Sequence, residues 1–282
     1  MEIIIHNKYI VEQKIGKGQF GSVLKGYNKK TREPVAIKLE MNSSPIKLLK
    51  SETNILNYLY NQGCRSIPCV YWYGAYDKYM SLVMPLYECS LQEYCKKNIL
   101  TIEKISRIML QCLQIIESIH EKYVLHRDIK PDNFMVKEGE LFLIDFGFSS
   151  FYVQDEKQHI PFSTYENIIG TPKFVSYHIH NGCEPSRRDD LISIGYIYLY
   201  LLYETLPWEK QREPSDTTGY TETHIQHPTN ILRKNLKSLD NLDKLYSESH
   251  PIFMNYIHYC YSIKFEEEPL YERIKQLFIK TI

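Results

Sequence analysis

Apolar and polar positions alternate through the first forty residues, and many of the apolar ones are β-branched. YIVEQKIG (9–16), SVLKGY (22–27) and PVAIKLE (34–40) show this period of two, which predicts strands joined by turns. The turns fall at NKKTRE (28–33) and in a glycine-rich stretch. The period then changes. Leu48, Ile55, Leu56 and Leu59 take helical spacing over 45–60, with Pro45 near the start. VYWYGAY and MSLVMPL return to strand character within 69–86. Beyond a short link near 84–90 the pattern is mostly helical. Ile105, Ile108, Met109, Cys112, Ile115, Ile116 and Ile119 form one stripe over 103–122, and 189–205 and 251–263 read as further helices. The polar stretch 209–230 reads as a loop. The expected class is α+β. A small β-rich part with one main helix (1–87) precedes a larger helical part (88–282), with no internal repeat.

Charge and composition narrow the function. The 34 Lys and Arg balance 34 Asp and Glu, which speaks against direct nucleic-acid binding. The balance is uneven along the chain: residues 1–87 hold 12 basic and 6 acidic side chains, the remainder 22 and 28. Hydrophobic residues make up 43%, enough for a large core. No apolar run approaches the ~20 residues of a membrane span, and the N-terminus lacks the basic flank and cleavage site of a signal peptide. The seven cysteines are scattered without a C-x-x-C pair, so reduced thiols are expected rather than zinc or redox sites. Tyrosine occurs 24 times and alanine twice, a skew that reads as AT-rich codon usage.

Gly16, Lys17, Gly18 and Gly21 belong to G-K-G-Q-F-G. A dinucleotide fingerprint would open a helix, whereas here Ser22 to Gly26 is strand-like. A strand–glycine loop–strand suits a flap whose N–H groups cover phosphates; standing alone it equally fits an ordinary hairpin. Lys38 follows in Val35-Ala36-Ile37-Lys38. Facing inward it needs an anion, which Glu52 on the next helix can supply; otherwise it snorkels to the surface. Ala36 leaves room for a flat base.

HRDIKPDNF (126–134) and DFG (145–147) flank a hairpin-like MVKEGELFLI. Asp128 can accept a hydroxyl hydrogen bond and orient an attacking oxygen. Lys130 can set a cation beside a transferring phosphoryl group. Asn133 and Asp145 offer the oxygens that Mg²⁺ favours.

These motifs resemble the eukaryotic protein kinases. Lys130 resembles the serine/threonine rather than the tyrosine branch, and a catalytically silent scaffold runs against the joint presence of Lys38, Glu52, Asp128, Asn133 and Asp145. Val175-Ser176-Tyr177 stands where most kinases carry A-P-E. With Ser186-Arg187-Arg188-Asp189-Asp190, Leu206-Pro207-Trp208, Ile67-Pro68, Val70 to Gly74 and Phe265 to Pro269, it resembles the casein kinase I group over about residues 8–280. The vaccinia-related kinases are a neighbouring branch. The resemblance implies a two-lobed fold, MgATP as phosphoryl donor, and serine or threonine in acidic or phosphoprimed protein substrates. It also implies adenine contacts at Met84, Pro85, Tyr87, Ile15, Val23, Met135 and Ile144, and a brace on the catalytic loop from Asp190. Lys173 falls at the group's anion site. Arg233, Lys234 and Lys237 would either extend that site or form a solvated charge run. His178 replaces the asparagine of S-I-N, and 209–250 matches poorly. A monomer in the cytoplasm or nucleus is expected, active without removal of a C-terminal tail, from a large DNA virus or a protist.

Overall fold

The computed structural model describes residues 3–18, 21–209 and 219–282. In chain order the strands and helices are β1 (Ile4–Ile5), β2 (Tyr9–Gly18), β3 (Gly21–Asn28), β4 (Pro34–Met41), α1 (Leu48–Asn61), β5 (Trp72–Tyr76), β6 (Tyr79–Pro85), β7 (Cys89–Ser90), α2 (Leu91–Lys97), α3 (Ile102–His120), β8 (Val124–Leu125), β9 (Phe134–Lys137), β10 (Glu140–Leu143), β11 (Ser150–Phe151), α4 (Tyr177–His180), α5 (Arg187–Tyr203), α6 (Pro228–Leu236), α7 (Leu239–Tyr246), α8 (Pro251–Ser262) and α9 (Tyr271–Ile279). The chain divides into two compact units. One joins residues 1–90 to 135–148; the other joins 91–134 to 149–282.

The first unit is built on an antiparallel sheet ordered β1-β2-β3-β4-β6-β5. The alternation seen in the sequence decides which side chains face its core. Val35 and Ile37 of β4 pack with Ile5, Tyr9 and Val83, while Ala36 and Lys38 point to the opposite face. Each such buried aliphatic side chain contributes about 1.5–3 kcal/mol. Glycine at 21 has a steric cause: a Cβ there would sit 1.7 Å from the Leu39 carbonyl oxygen. The segment 135–148 joins this unit because Met135 and Val136 pair with Ser90 and Cys89 of β7. Its hairpin turns on Glu138 and Gly139, both left-handed.

In the second unit α5 is buried all round from Asp189 to Leu201, as a central helix must be. Gly195 lets α8 approach, since a Cβ would meet Tyr256 at 2.9 Å. The α3 stripe is buried as expected, with Leu113 added and Ile108 only half-buried. Thr101 caps α3 by accepting from the Lys104 N–H, and Ser186 with Asp189 forms a capping box on α5. No helix among the described residues is long and apolar enough to cross a membrane.

The expected loop over 209–230 is non-helical at 219–227, then enters α6 at Pro228; residues 210–218 lie outside the described residues. Helices α6 and α7 were not foreseen individually. Pro45 also stands three residues ahead of α1 rather than in its first turn.

Candidate active site

All thirteen expected nucleotide contacts belong to the first unit, although Met135 and Ile144 are remote from the others in sequence. Cross-strand register sets Val23, Lys38 and Leu82 in one row, and Lys25, Ala36 and Met84 in another. Gly16 opposes Val23, Lys17 opposes Ser22 and Gly18 opposes Gly21 at the hairpin tip. The side chain of Lys17 and residues Gln19 and Phe20 lie outside the described residues. At Gly16 a Cβ would make only an ordinary 3.9 Å contact with Val23, so packing does not demand glycine there. Met84 is buried; Val23, Pro85, Tyr87, Met135 and Ile144 are half-buried, and Ile15 is exposed. The Tyr87 ring packs on Phe142 at 4.9 Å.

Lys38 reaches inward, as one reading of the sequence required. Its Nζ bonds Glu52 Oε1 at 2.6 Å and Asp145 Oδ1 at 2.9 Å. Burial alone would lower the lysine pKa, but the two carboxylates outweigh it and hold the ammonium above its ordinary value. Glu52 is only 1% exposed, and burial pushes its carboxyl upward against the pull of Lys38. Asp145 has a left-handed backbone, and the following turn Phe146–Phe148 packs against α1 with Phe146 fully buried. That turn delivers the aspartate to the lysine.

In the second unit the centre is Asp128. Its Oδ1 accepts from the Thr171 N–H at 2.9 Å and from Thr171 Oγ1 at 2.6 Å. Its Oδ2 accepts from Lys130 Nζ at 2.7 Å and Asn133 Nδ2 at 3.1 Å. Lys130 also donates to Thr171 Oγ1 at 2.9 Å, which closes a triangle. Asn133 Nδ2 bonds the Asp128 carbonyl at 2.8 Å, so its amide is oriented by the loop it belongs to. Thr171 is not among the residues that the sequence motifs single out.

Asp190 braces this loop from α5. Its carboxylate accepts the His126 and Arg127 N–H groups at 2.8 and 2.9 Å. Burial would raise its pKa, but His120 and these donors outweigh burial and lower it. His120 Nε2 lies 3.0 Å from Asp190 and its Nδ1 lies 2.6 Å from the Tyr271 hydroxyl. Burial lowers the His120 pKa, and the two ring nitrogens join Asp190 on one side to Tyr271 on the other.

Lys173, Lys237 and His178 have neighbours that the sequence does not display. Lys173 is engaged by Glu209, 2.8 Å away, and sits over the rings of Phe174 and Tyr200. Lys237 is not part of a solvated charge run: it is wholly buried, while Arg233 and Lys234 are half-buried. A side chain that turns inward from a helix end meets acceptors that sequence spacing does not display. His178 packs against Tyr261 at 5.6 Å, and burial, with Arg188 adding to it, pushes its pKa down to about 4. Asn133 belongs to the second unit and Asp145 to the first.

The model of the protein kinase domain matches residues 9–268. That span takes in both units and every candidate residue from Ile15 to Lys173, and the chain belongs to the protein kinase family.

Proposed function

We propose that this ATP-dependent protein kinase transfers the γ-phosphoryl group to serine and threonine, in the manner of the casein kinase I group. The observation that carries the reading is the triangle of Asp128, Lys130 and Thr171. Four donors fix the carboxylate in one orientation, and an incoming hydroxyl takes over the position of one of them. Lys130, itself held by Asp128 and Thr171, supplies a cation beside the transferred group. Lys38, kept charged by Glu52 and Asp145, binds phosphate oxygens. The glycine hairpin Gly16, Lys17, Gly18 and Gly21 covers the phosphates. The adenine rests against Ile15, Val23, Ala36, Met84, Met135 and Ile144, and pairs with the backbone of Pro85 and Tyr87.

Each candidate ligand suits Mg²⁺: the amide oxygen of Asn133 and the carboxylate of Asp145 are both hard donors. Among the described residues no three His, Cys, Asp or Glu side chains form a metal cluster, and an ion that takes most ligands from phosphate and water needs none. When bound, the cation neutralises phosphate charge that would repel the attacking oxygen.

The preference for acidic or phosphorylated substrates rests on the resemblance and on Lys173. Because Glu209 already engages that lysine, a substrate phosphate competes with a carboxylate there. The chain acts as a monomer on this reading. Turnover of MgATP on matched serine, threonine and tyrosine peptides, each acidic, phosphoprimed or neutral, tests it. Labelled phosphoserine or phosphothreonine with an acidic or primed bias is expected. Phosphotyrosine alone would refute the branch assignment, and equal turnover of neutral peptides would refute the preference.

A further inference from the structure

Three backbone carbonyls after Thr171 are taken by side chains from elsewhere in the second unit. Lys237, the C-terminal cap of α6, places Nζ 3.0 Å from the Pro172 oxygen and 2.7 Å from the Val175 oxygen. Trp208 Nε1 donates to the Lys173 oxygen at 2.8 Å. The turn also closes on itself, because Phe174 and Val175 both donate to the Thr171 carbonyl. Its two ends are therefore fixed by different means. Thr171 is tied to Asp128, and the residues beyond it are tied to Lys237 and Trp208.

Lys237 is an unusual group to spend on this. Its amine is fully buried, lies over the faces of Tyr196 at 5.2 Å and Trp208 at 4.9 Å, and has no carboxylate partner among the described residues. Its third neighbour is His180 Nε2 at 3.1 Å. Lys237 Nζ donates to these two carbonyls, and His180 Nε2 itself lies 3.1 Å from the same Pro172 oxygen, so lysine and histidine converge on one carbonyl. Burial lowers the pKa of both residues, and the charge of Arg233 acts in the same direction. A lysine serving only as packing would leave its nitrogen without such partners. The Tyr261 hydroxyl, which donates to the Lys237 carbonyl at 2.7 Å, holds the lysine's own backbone in place.

We propose that Lys237, with Trp208 as its companion, is a positioning residue for phosphoryl transfer: it fixes the turn Thr171–Val175, and through Thr171 it fixes Asp128. This rests on the role given above to Asp128. The same turn carries Lys173, so its placement bears on the protein substrate rather than on ATP.

The test compares wild type, Lys237→Met and Trp208→Phe. Methionine keeps the length and the apolar stem but cannot bond the carbonyls. Lys237→Met should raise KM for a protein substrate and lower kcat, each by about tenfold, with KM for ATP changed less than about twofold. Backbone amides of Thr171, Lys173, Phe174 and Val175 should exchange with solvent about tenfold faster, while those of α5 stay unchanged. Trp208→Phe should shift the same quantities by less. Wild-type kinetics and exchange in Lys237→Met would overturn the proposal. So would a parallel rise in ATP KM and in α5 exchange, which marks a general packing residue. Should Lys237→Met fail to fold, Trp208→Phe decides: selective exchange in the turn supports the role and its absence refutes it. If wild type phosphorylates no protein at all, the functional reading fails instead, and the exchange data still report whether Lys237 holds the turn.

Discussion

Thr171 Oγ1 donates to Asp128 Oδ1 at 2.6 Å and accepts from Lys130 Nζ at 2.9 Å, so one hydroxyl joins the carboxylate to the ammonium. Thr171→Val keeps the shape and removes both bonds. Its turnover should fall roughly 10–100-fold with nucleotide affinity unchanged, because the carboxylate loses one of its fixed donors. Thr171→Ser should recover most of the loss. Steady-state kinetics of the two variants, beside direct nucleotide titration, measure this.

Lys38 balances two carboxylates, and its removal should be felt twice. Lys38→Met leaves the buried Glu52 and the half-buried Asp145 side by side without a cation. We expect turnover to vanish and stability to drop by about 3–5 kcal/mol. Adding Glu52→Gln should return much of the stability without returning activity. Urea melts and turnover assays of the single and double variants separate the two effects.

His178 should give the protein an acid-sensitive stability. Its folded pKa of about 4 lies below the ordinary value of 6.5, because burial and Arg188 disfavour the charged ring. The unfolded chain therefore binds more protons between these values. The stabilisation is complete above about pH 6.5 and is lost as pH falls toward 4, by an amount on the order of 3 kcal/mol. His178→Asn should show a flatter decline over the same window in denaturant melts.

Gly21→Ala tests the packing of the hairpin. The new Cβ would collide with the Leu39 carbonyl, so β3 must move away from β4. A loss of about 1–3 kcal/mol is expected from such overpacking. Gly16→Ala meets only Val23 at 3.9 Å and should leave stability nearly unchanged, so any loss of ATP affinity there reports on the phosphates. Thermal melts and ATP titrations of both variants distinguish the cases.

The parts legible in the sequence are those governed by local pattern. Alternation assigns Val35 and Ile37 to the core and Ala36 and Lys38 to the other face, and the α3 stripe is buried nearly as written. The candidate site residues each stand in a motif with a chemical reason, and one expected contact, Lys38 with Glu52, is present. What failed to show depends on contacts distant in sequence. Lysines such as Lys237 are ordinarily solvated, and its burial follows only from the meeting of α6 with the turn after Thr171. Lys173 stands paired with Glu209, a carboxylate further along the chain that no local pattern points to. Helices α6 and α7 are short and polar, with apolar stripes too brief to stand out. Segment 135–148 joins the first unit through the pairing of β9 with β7, which no local pattern announces.

The central claim, that Asp128 directs phosphoryl transfer from ATP to a protein hydroxyl, is tested most directly by Asp128→Asn. Turnover on an acidic serine or threonine substrate and MgATP binding are to be measured on the same preparation. The account predicts that turnover falls by orders of magnitude while the dissociation constant for MgATP stays within about threefold of wild type. Near-normal turnover in that variant, or loss of nucleotide binding in step with turnover, would contradict it.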